Sequence, residues 1–244
     1  MITIETKGQL GNQFFEYATC RTIAEGKGYN FYIDFHKLYQ ELKRFNISFG
    51  KKQGKLSHTL HSDYCLQYLY ENKTLPKEYL EIKDETKLVG YFQNPIFFNF
   101  NKSNIKKWFS VDRLINFVLF KELYNKYKDY CVVHIRGNDF KNIQHYELPA
   151  EYYIKSMSDM LLYQSNIKFV IITDDPQYSH DMFCDIDILS NQDHLIDFKM
   201  LQEAKYIICS NSTFSWWGTY LNNVSKKIIH PDKDSTYLWK NLQL

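Results

Sequence analysis

In the second half of the chain, apolar residues fall into short unbroken blocks separated by stretches of helical spacing. Cys131-Val132-Val133, Phe169-Val170-Ile171-Ile172, Tyr206-Ile207-Ile208-Cys209 and the Lys227-Ile228-Ile229 segment are compact and β-favouring. Runs of this kind suit strands covered on both faces. Between them, Ala150 to Tyr163 and Ile196 to Ala204 read as helices, and a shorter helix precedes a strand near Asp187-Ile188-Leu189. Strands alternating with helices predict an α/β fold with a parallel, doubly wound sheet.

The first half opens in a similar way. Ile2 and Ile4 alternate with polar residues, Lys7 to Gln13 forms a glycine-bearing turn, and Phe14, Phe15, Tyr17, Ala18, Ile23 and Ala24 come next at helical spacing. Gly26 and Gly28 mark a helix stop, and Asn30 to Asp34 reads as a second strand. Residues 40–85 carry scattered Lys, Tyr and Leu with poor periodicity, so short helices and loops are expected there. Lys87 to Gln93 reads as a strand halted by Asn94-Pro95. Apolar positions at Val111, Leu114, Ile115, Val118, Leu119 and Leu123 predict a helix from Val111 to Tyr127. These patterns place a domain boundary near residue 128, giving domains of 1–128 and 129–244. There is no internal repeat or low-complexity tract.

Composition narrows the function classes. At 244 residues the chain can bury a substantial core, and 44% hydrophobic with 24% charged residues is ordinary for a globular protein. A net charge of +2, without a dense Lys/Arg block, argues against a nucleic-acid partner. Aromatics reach 17%, a level shared by sugar-handling surfaces and by aromatic-rich cores. The five cysteines form no CxxC pair, and Cys131 and Cys209 sit in apolar strand-like runs, which favours free thiols in a reducing compartment. The N-terminus lacks the pattern of a signal peptide and no apolar run reaches membrane-spanning length, so a cytoplasmic location is expected.

Three strand ends in the second half finish in polar residues: His134/Arg136/Asp139, Thr173/Asp174/Asp175 and Ser210/Asn211/Ser212/Thr213. In a parallel sheet they converge on one edge, where ligands bind beyond the strands' carboxyl ends. A guanidinium there is shaped to clamp a phosphate, and it serves equally as half of an Arg–Asp ion pair that fixes a loop. Ser212 and Thr213 stand at an expected helix start, where hydroxyls either cap the helix or hold a phosphate. Trp216 and Trp217 suit core or interface packing better than a sugar platform. The pairs Asp174-Asp175, Asp185-x-Asp187 and Asp232-x-Asp234 have the look of divalent-cation ligands, but no histidine cluster accompanies them. No Gly-x-Ser-x-Gly elbow or phosphate-cradling Walker loop occurs.

Four segments together resemble the bacterial α-1,2-fucosyltransferases of glycosyltransferase family 11. They are Gly8-x-Leu10-Gly11-Asn12-Gln13-x-Phe15-x-Tyr17-Ala18, Gly90-Tyr91-Phe92-Gln93, His134-x-Arg136-x-x-Asp139 and Ser210-Asn211-Ser212-Thr213-Phe214-Ser215-Trp216-Trp217. They occur in the family's order and span most of the chain outside 40–85. The resemblance implies a GT-B architecture, two Rossmann-like domains with parallel sheets facing a cleft. It implies an N-terminal acceptor-side domain and a C-terminal domain for the nucleotide sugar. It further implies inverting, metal-independent transfer from GDP-β-L-fucose, with no cofactor, to an oligosaccharide or lipid-linked glycan acceptor. Such an enzyme would extend a surface glycan at the inner face of the membrane, with peripheral membrane contact.

By the same resemblance His134 lies near guanine or phosphate, Arg136 at the diphosphate, and Asp197 accepts from the guanine N–H edge. Ser212 and Thr213, flanked by Asn211 and Phe214, hold the diphosphate, while Gly11 and Asn12 face the sugar from the other domain. For the proton of the acceptor hydroxyl, Asp139, His145 and Glu147 are candidates, Asp139 first; Asp139 also suits a structural partner of Arg136. One departure stands out. The family usually carries a second arginine where this chain has Gly137. That leaves room for a different nucleotide sugar, for compensation by Lys141, or for a non-catalytic nucleotide-sugar-binding protein.

Overall fold

The structure, a computed structural model, describes residues 1–138, 146–189 and 192–232. It divides into two compact units, Met1–Ser110 and a second that begins at Val111.

In the first unit, strand β1 (Ile2–Thr6) leads through Gly8, at φ +67°, into helix α1 (Leu10–Lys27). Gly28 ends the helix in the left-handed conformation, its N–H donating to Ala24 and Glu25 carbonyls. Strand β2 (Phe31–Phe35) pairs with one side of β1 and β4 (Thr86–Val89) with the other. Beyond β4 lies β3 (His58–His61), so the sheet runs β2-β1-β4-β3, all parallel. Ile4 faces Ile33 and Leu88 across the ladder, and all three are buried. Helices α2 (Ser62–Asn72), α3 (Lys77–Leu80) and α4 (Lys102–Trp108) complete the unit.

Much of the aromatic content is spent in this core. Phe14 stacks on Phe109 with centroids 4.0 Å apart, and Tyr17 meets Phe31, Phe49 and Trp108 edge-on. The Tyr17 hydroxyl donates to the Ser48 carbonyl, which satisfies its polar end inside the core.

The second unit starts with helix α5 (Phe117–Tyr127) and strand β5 (Cys131–Ile135). Next come helix α6 (Ala150–Tyr163), β6 (Phe169–Thr173), α7 (Pro176–Met182) and β7 (Asp187–Leu189). Helix α8 (His194–Glu203), β8 (Tyr206–Ile208), α9 (Thr213–Leu221) and β9 (Lys227–Ile229) complete it. The sheet order is β7-β6-β5-β8-β9, again fully parallel. Every residue of β5 is buried, as its apolar run requires.

Three expectations differ from what forms. Helix α5 is shorter than the 111–127 pattern, because Asn116 caps it by accepting from Leu119 N–H, leaving Val111 and Ile115 buried outside it. The 40–85 stretch contains a strand, β3, and an eleven-residue helix, α2. The second unit also begins upstream of residue 128. Helix α5 packs on α8, and Asp112 pairs with Lys199 of α8 at 2.8 Å, which ties this segment to the second unit.

All five cysteines are free and four are buried, Cys184 being exposed. Among the described residues no helix is long and apolar enough to cross a membrane.

Helices α8 and α9 meet at Gly218, where an added Cβ would come 2.6 Å from the Cβ of Leu201. Gly218→Ala is expected to cost ~1–3 kcal/mol by overpacking. In a chain of this size that lowers Tm by roughly 3–10 °C. Differential scanning fluorimetry checks it, and an unchanged Tm would contradict this packing.

Candidate functional site

Strand β5 leads through α6 to β6 on one side, and its other neighbour β8 leads through α9 to β9. The carboxyl ends of β5 and β8 therefore flank the point where chain direction reverses, the place an open parallel sheet offers a ligand.

His134 occupies the end of β5 and is 5% exposed. Its Nδ1 lies 2.7 Å from the Ser210 hydroxyl, and its ring tilts against Phe214 with centroids 5.5 Å apart. Burial, reinforced by the Arg136 charge, pulls its pKa down to about 3, so the imidazole is neutral at physiological pH. One ring nitrogen then donates and the other accepts.

Arg136 is the next polar residue, its side chain largely buried, with Nη1 2.5 Å from Asp174 Oδ2. This ion pair is with Asp174 at the end of the neighbouring strand; the expected pairing with Asp139 lies outside the described residues. Gly137 N–H donates to Asp174 Oδ1 (2.8 Å), and the Asn138 side-chain amide donates to the Asp174 carbonyl (2.7 Å). Gly137 itself is dictated by close approach: a Cβ there would stand 2.5 Å from the Cβ of Asp175. An arginine at 137 has no room beside this turn.

On the β8 side, Ser212 caps α9, its hydroxyl accepting from Phe214 N–H at 3.2 Å. The Ser215 hydroxyl donates to the Ser210 and Ser212 carbonyls, and the Asn211 amide donates to the Tyr146 carbonyl. Ser210, Asn211 and Ser212 are buried, while Thr213 and Phe214 at the helix start are partly exposed. A helix N-terminus carries a positive dipole end and outward N–H groups, a ready seat for anionic oxygens.

Asp197 sits in the first turn of α8, next to Phe198, whose ring packs 5.3 Å from that of Phe214. Gln192 donates to Asp197 Oδ1 at 2.5 Å. Burial pushes this carboxyl up to about 7, against the lowering effect of the Gln192 bond.

Gly11 and Asn12 belong to the first unit. The Asn12 side-chain oxygen accepts from Gln93 Nε2 at 2.9 Å, which joins the first resemblance segment to the second at the ends of β1 and β4. Gln13 ties the same turn together by donating to the Gly8 carbonyl and accepting from Leu42 N–H. Glu16, fully buried, accepts the Lys7 N–H through both oxygens at 3.0 Å, and burial raises its pKa well above the usual carboxylate value.

Asp139, His145 and Lys141 lie outside the described residues. Glu147 accepts from the Tyr178 hydroxyl at 2.5 Å. Three residues of the acidic pairs have visible partners: Asp174 holds the β5 turn, Asp175 caps α7 through Tyr178 N–H, and Asp187 accepts from Tyr127 and pairs with Lys126, while Asp234 lies outside the described residues. Trp216 and Trp217 are fully buried, Trp216 stacking on Tyr220. Sequence reasoning does not single out Asp174, Gln93 or Glu16 as site supports. The Gly90-Tyr91-Phe92-Gln93 resemblance is the available signal for Gln93, and the strand-end position is that for Asp174.

Two units, each an α/β arrangement around a parallel sheet, the second bearing an arginine and a capped helix start beyond adjacent strand ends, define the class of fold. The chain belongs to glycosyltransferase family 11, whose family model matches residues 1–243. It is 24% identical to the α-1,2-colitosyltransferase of Escherichia coli, over 91% of this chain and 88% of that one. It is equally 24% identical to the O-antigen biosynthesis glycosyltransferase WbnK of Escherichia coli, over 91% and 90%. Among solved structures, the fucosyltransferase NodZ from Bradyrhizobium superposes with a TM-score of 0.57 at 13% identity, covering 95% of this chain and 96% of that one. A NodZ α-1,6-fucosyltransferase crystal soaked with GDP-fucose gives 0.58 at 14%, covering 97% and 96%. The fold is GT-B and the protein is a glycosyltransferase.

The neutral His134 has a consequence for stability. Its folded pKa, about 3, lies below its unfolded value, so its contribution is complete above ~6.5 and is lost as pH falls towards 3. Between pH 6 and 4.5 the parent's unfolding free energy should fall more steeply than that of His134→Gln, by up to about 1.4 kcal/mol per pH unit. Urea titrations at several pH values measure both slopes. Equal slopes would mean that His134 titrates normally.

Proposed function

We propose that this glycosyltransferase moves L-fucose from GDP-β-L-fucose to a hydroxyl of a galactoside-type acceptor, forming an α-1,2 linkage with inversion. The observation that carries the reading is that Arg136, just past β5, and the Ser212-capped start of α9, just past β8, follow neighbouring parallel strands, with His134 at the end of β5 bonded to Ser210. The family membership and the fucosyl- and colitosyltransferase relatives support the same direction.

In the reaction the bond between fucose C1 and the β-phosphate oxygen breaks, and a bond from the acceptor oxygen to C1 forms on the opposite face. GDP leaves with the bonding electron pair, and the acceptor's proton passes to a base. Negative charge grows on the β-phosphate, so donors aimed there stabilise the transition state more than the ground state. Arg136, Ser212 and Thr213 take that role, with Asn211 and Phe214 beside them. His134 and Asp197 line the guanine side, Asp197 accepting from the base's N–H edge. Asp139 is the first candidate for the base. Gly11 and Asn12 face the donor's sugar from the first unit, which is the acceptor side, and the second unit is the donor side. No metal or cofactor takes part. The acceptor is an oligosaccharide or lipid-linked glycan in surface-glycan synthesis, met at the inner face of the cytoplasmic membrane.

A second reading is favoured by the colitosyltransferase likeness together with Gly137 in place of a second arginine. Colitose is fucose without its 3-hydroxyl, so GDP-colitose presents the same diphosphate.

Donor assays with GDP-fucose, GDP-colitose and UDP-galactose, run with and without EDTA, test these readings. GDP-fucose turnover that survives EDTA, stabilisation by GDP rather than UDP, and a loss of about 10²-fold or more in Arg136→Ala are expected. Stabilisation by UDP alone would overturn the proposal. Turnover of GDP-colitose with none of GDP-fucose would transfer it to the second reading.

A further inference from the structure

We propose that Asp174 is the positioning residue of the donor site: by holding Arg136, Gly137 and Asn138 at once, it sets the direction in which the guanidinium meets the diphosphate. This rests on the reading of Arg136 as the diphosphate ligand.

The strand register makes the arrangement possible. Ile135 stands opposite Thr173, so the next residues, Arg136 and Asp174, face each other as the strands run out. One carboxylate oxygen of Asp174 meets the guanidinium and the other accepts the Gly137 N–H, while the Asp174 carbonyl accepts from Asn138. Asn138 stands at φ +35°, a left-handed conformation that asparagine tolerates, and this last bond fixes it there. Three consecutive residues of the β5 exit thus lean on a single residue of the β6 exit.

That support is itself rigid. Asp175 N–H donates to the Thr173 hydroxyl at 3.0 Å, and the Ser179 hydroxyl donates to the same oxygen at 2.9 Å. Asp175 Oδ1 accepts from Tyr178 N–H and so anchors the turn to α7. Asp174 is therefore carried on a backbone with little freedom, and a guanidinium paired to it loses its rotamer freedom before any donor arrives. The guanidinium is a planar, rigid fork, so fixing Nη1 sets the direction of the whole group. The close approach that demands Gly137 is part of the same device. Asp175 fills the space a second arginine would need, so orientation of one cation stands in for a second.

The test is a kinetic cycle on the full chain, using Asp174→Asn, Asp174→Glu, Arg136→Lys and the Asp174→Asn/Arg136→Lys double variant, with GDP-fucose as donor and Tm measured for each. Asparagine keeps an oxygen for Gly137 N–H but removes the charge facing Arg136. The expected result is a fall in kcat of about 10- to 100-fold in Asp174→Asn with donor KM changed less than about 3-fold. Asp174→Glu should recover part of that loss, and the double variant should be no slower than Arg136→Lys alone. A kcat for Asp174→Asn within about 2-fold of the parent, or losses that multiply in the double variant, would overturn the proposal. Parent-like turnover in Arg136→Lys would instead sink the reading of Arg136. Should Asp174→Asn not fold, Asp174→Glu carries the test: lowered kcat at unchanged KM supports positioning, and parent-like kcat contradicts it.

Discussion

The site depends on the register of one strand. β5 is the strand between the two halves of its sheet, and its pairing offsets decide which residues meet beyond its end. Ile135 opposite Thr173 brings Arg136 to Asp174 and Gly137 to Asp175. Val133 opposite Ile208 brings Ser210 up to His134 and sets the start of α9 at the same edge. Side chains alternate faces along a strand, so a slip of one residue would turn Val133 and His134 to the opposite sides and unmake both contacts. Complete burial of β5 on both faces is what holds the register.

The first unit repeats this logic with different chemistry. β1 lies between β2 and β4, and the residues beyond β1 and β4 are joined by the Asn12–Gln93 amide bond. Here the turn is fixed by a buried carboxylate, Glu16 on Lys7 N–H, and by Gln13 bridging Gly8 and Leu42. Phe92, at φ +52°, is strained for an aromatic residue and is held by full burial against Phe97.

The inner strands β5, β6 and β8 were legible in the sequence as unbroken apolar runs because both of their faces are buried. β3 was not: in His58-Thr59-Leu60-His61 only Leu60 is buried, and an edge strand pairs on one side only, so no apolar block forms. The segment from Val111 to Ile115 has helical spacing, yet the helix starts only after Asn116, whose side chain satisfies the first free N–H groups. In the site, residue types and strand ends could be read, but pairing offsets could not. Asp174 therefore looked like half of an acidic pair, and Gly137 like a missing cation. Geometry makes the first the support of Arg136 and the second a requirement of Asp175.

A crystal structure of the GDP complex tests the central claim most directly. The β-phosphate is expected within about 3.5 Å of both the Arg136 guanidinium and the Ser212–Thr213 start of α9, with the Arg136–Asp174 contact kept. GDP bound with its phosphates away from the β5/β8 strand ends, or an Arg136 that abandons Asp174 to reach them, would contradict it.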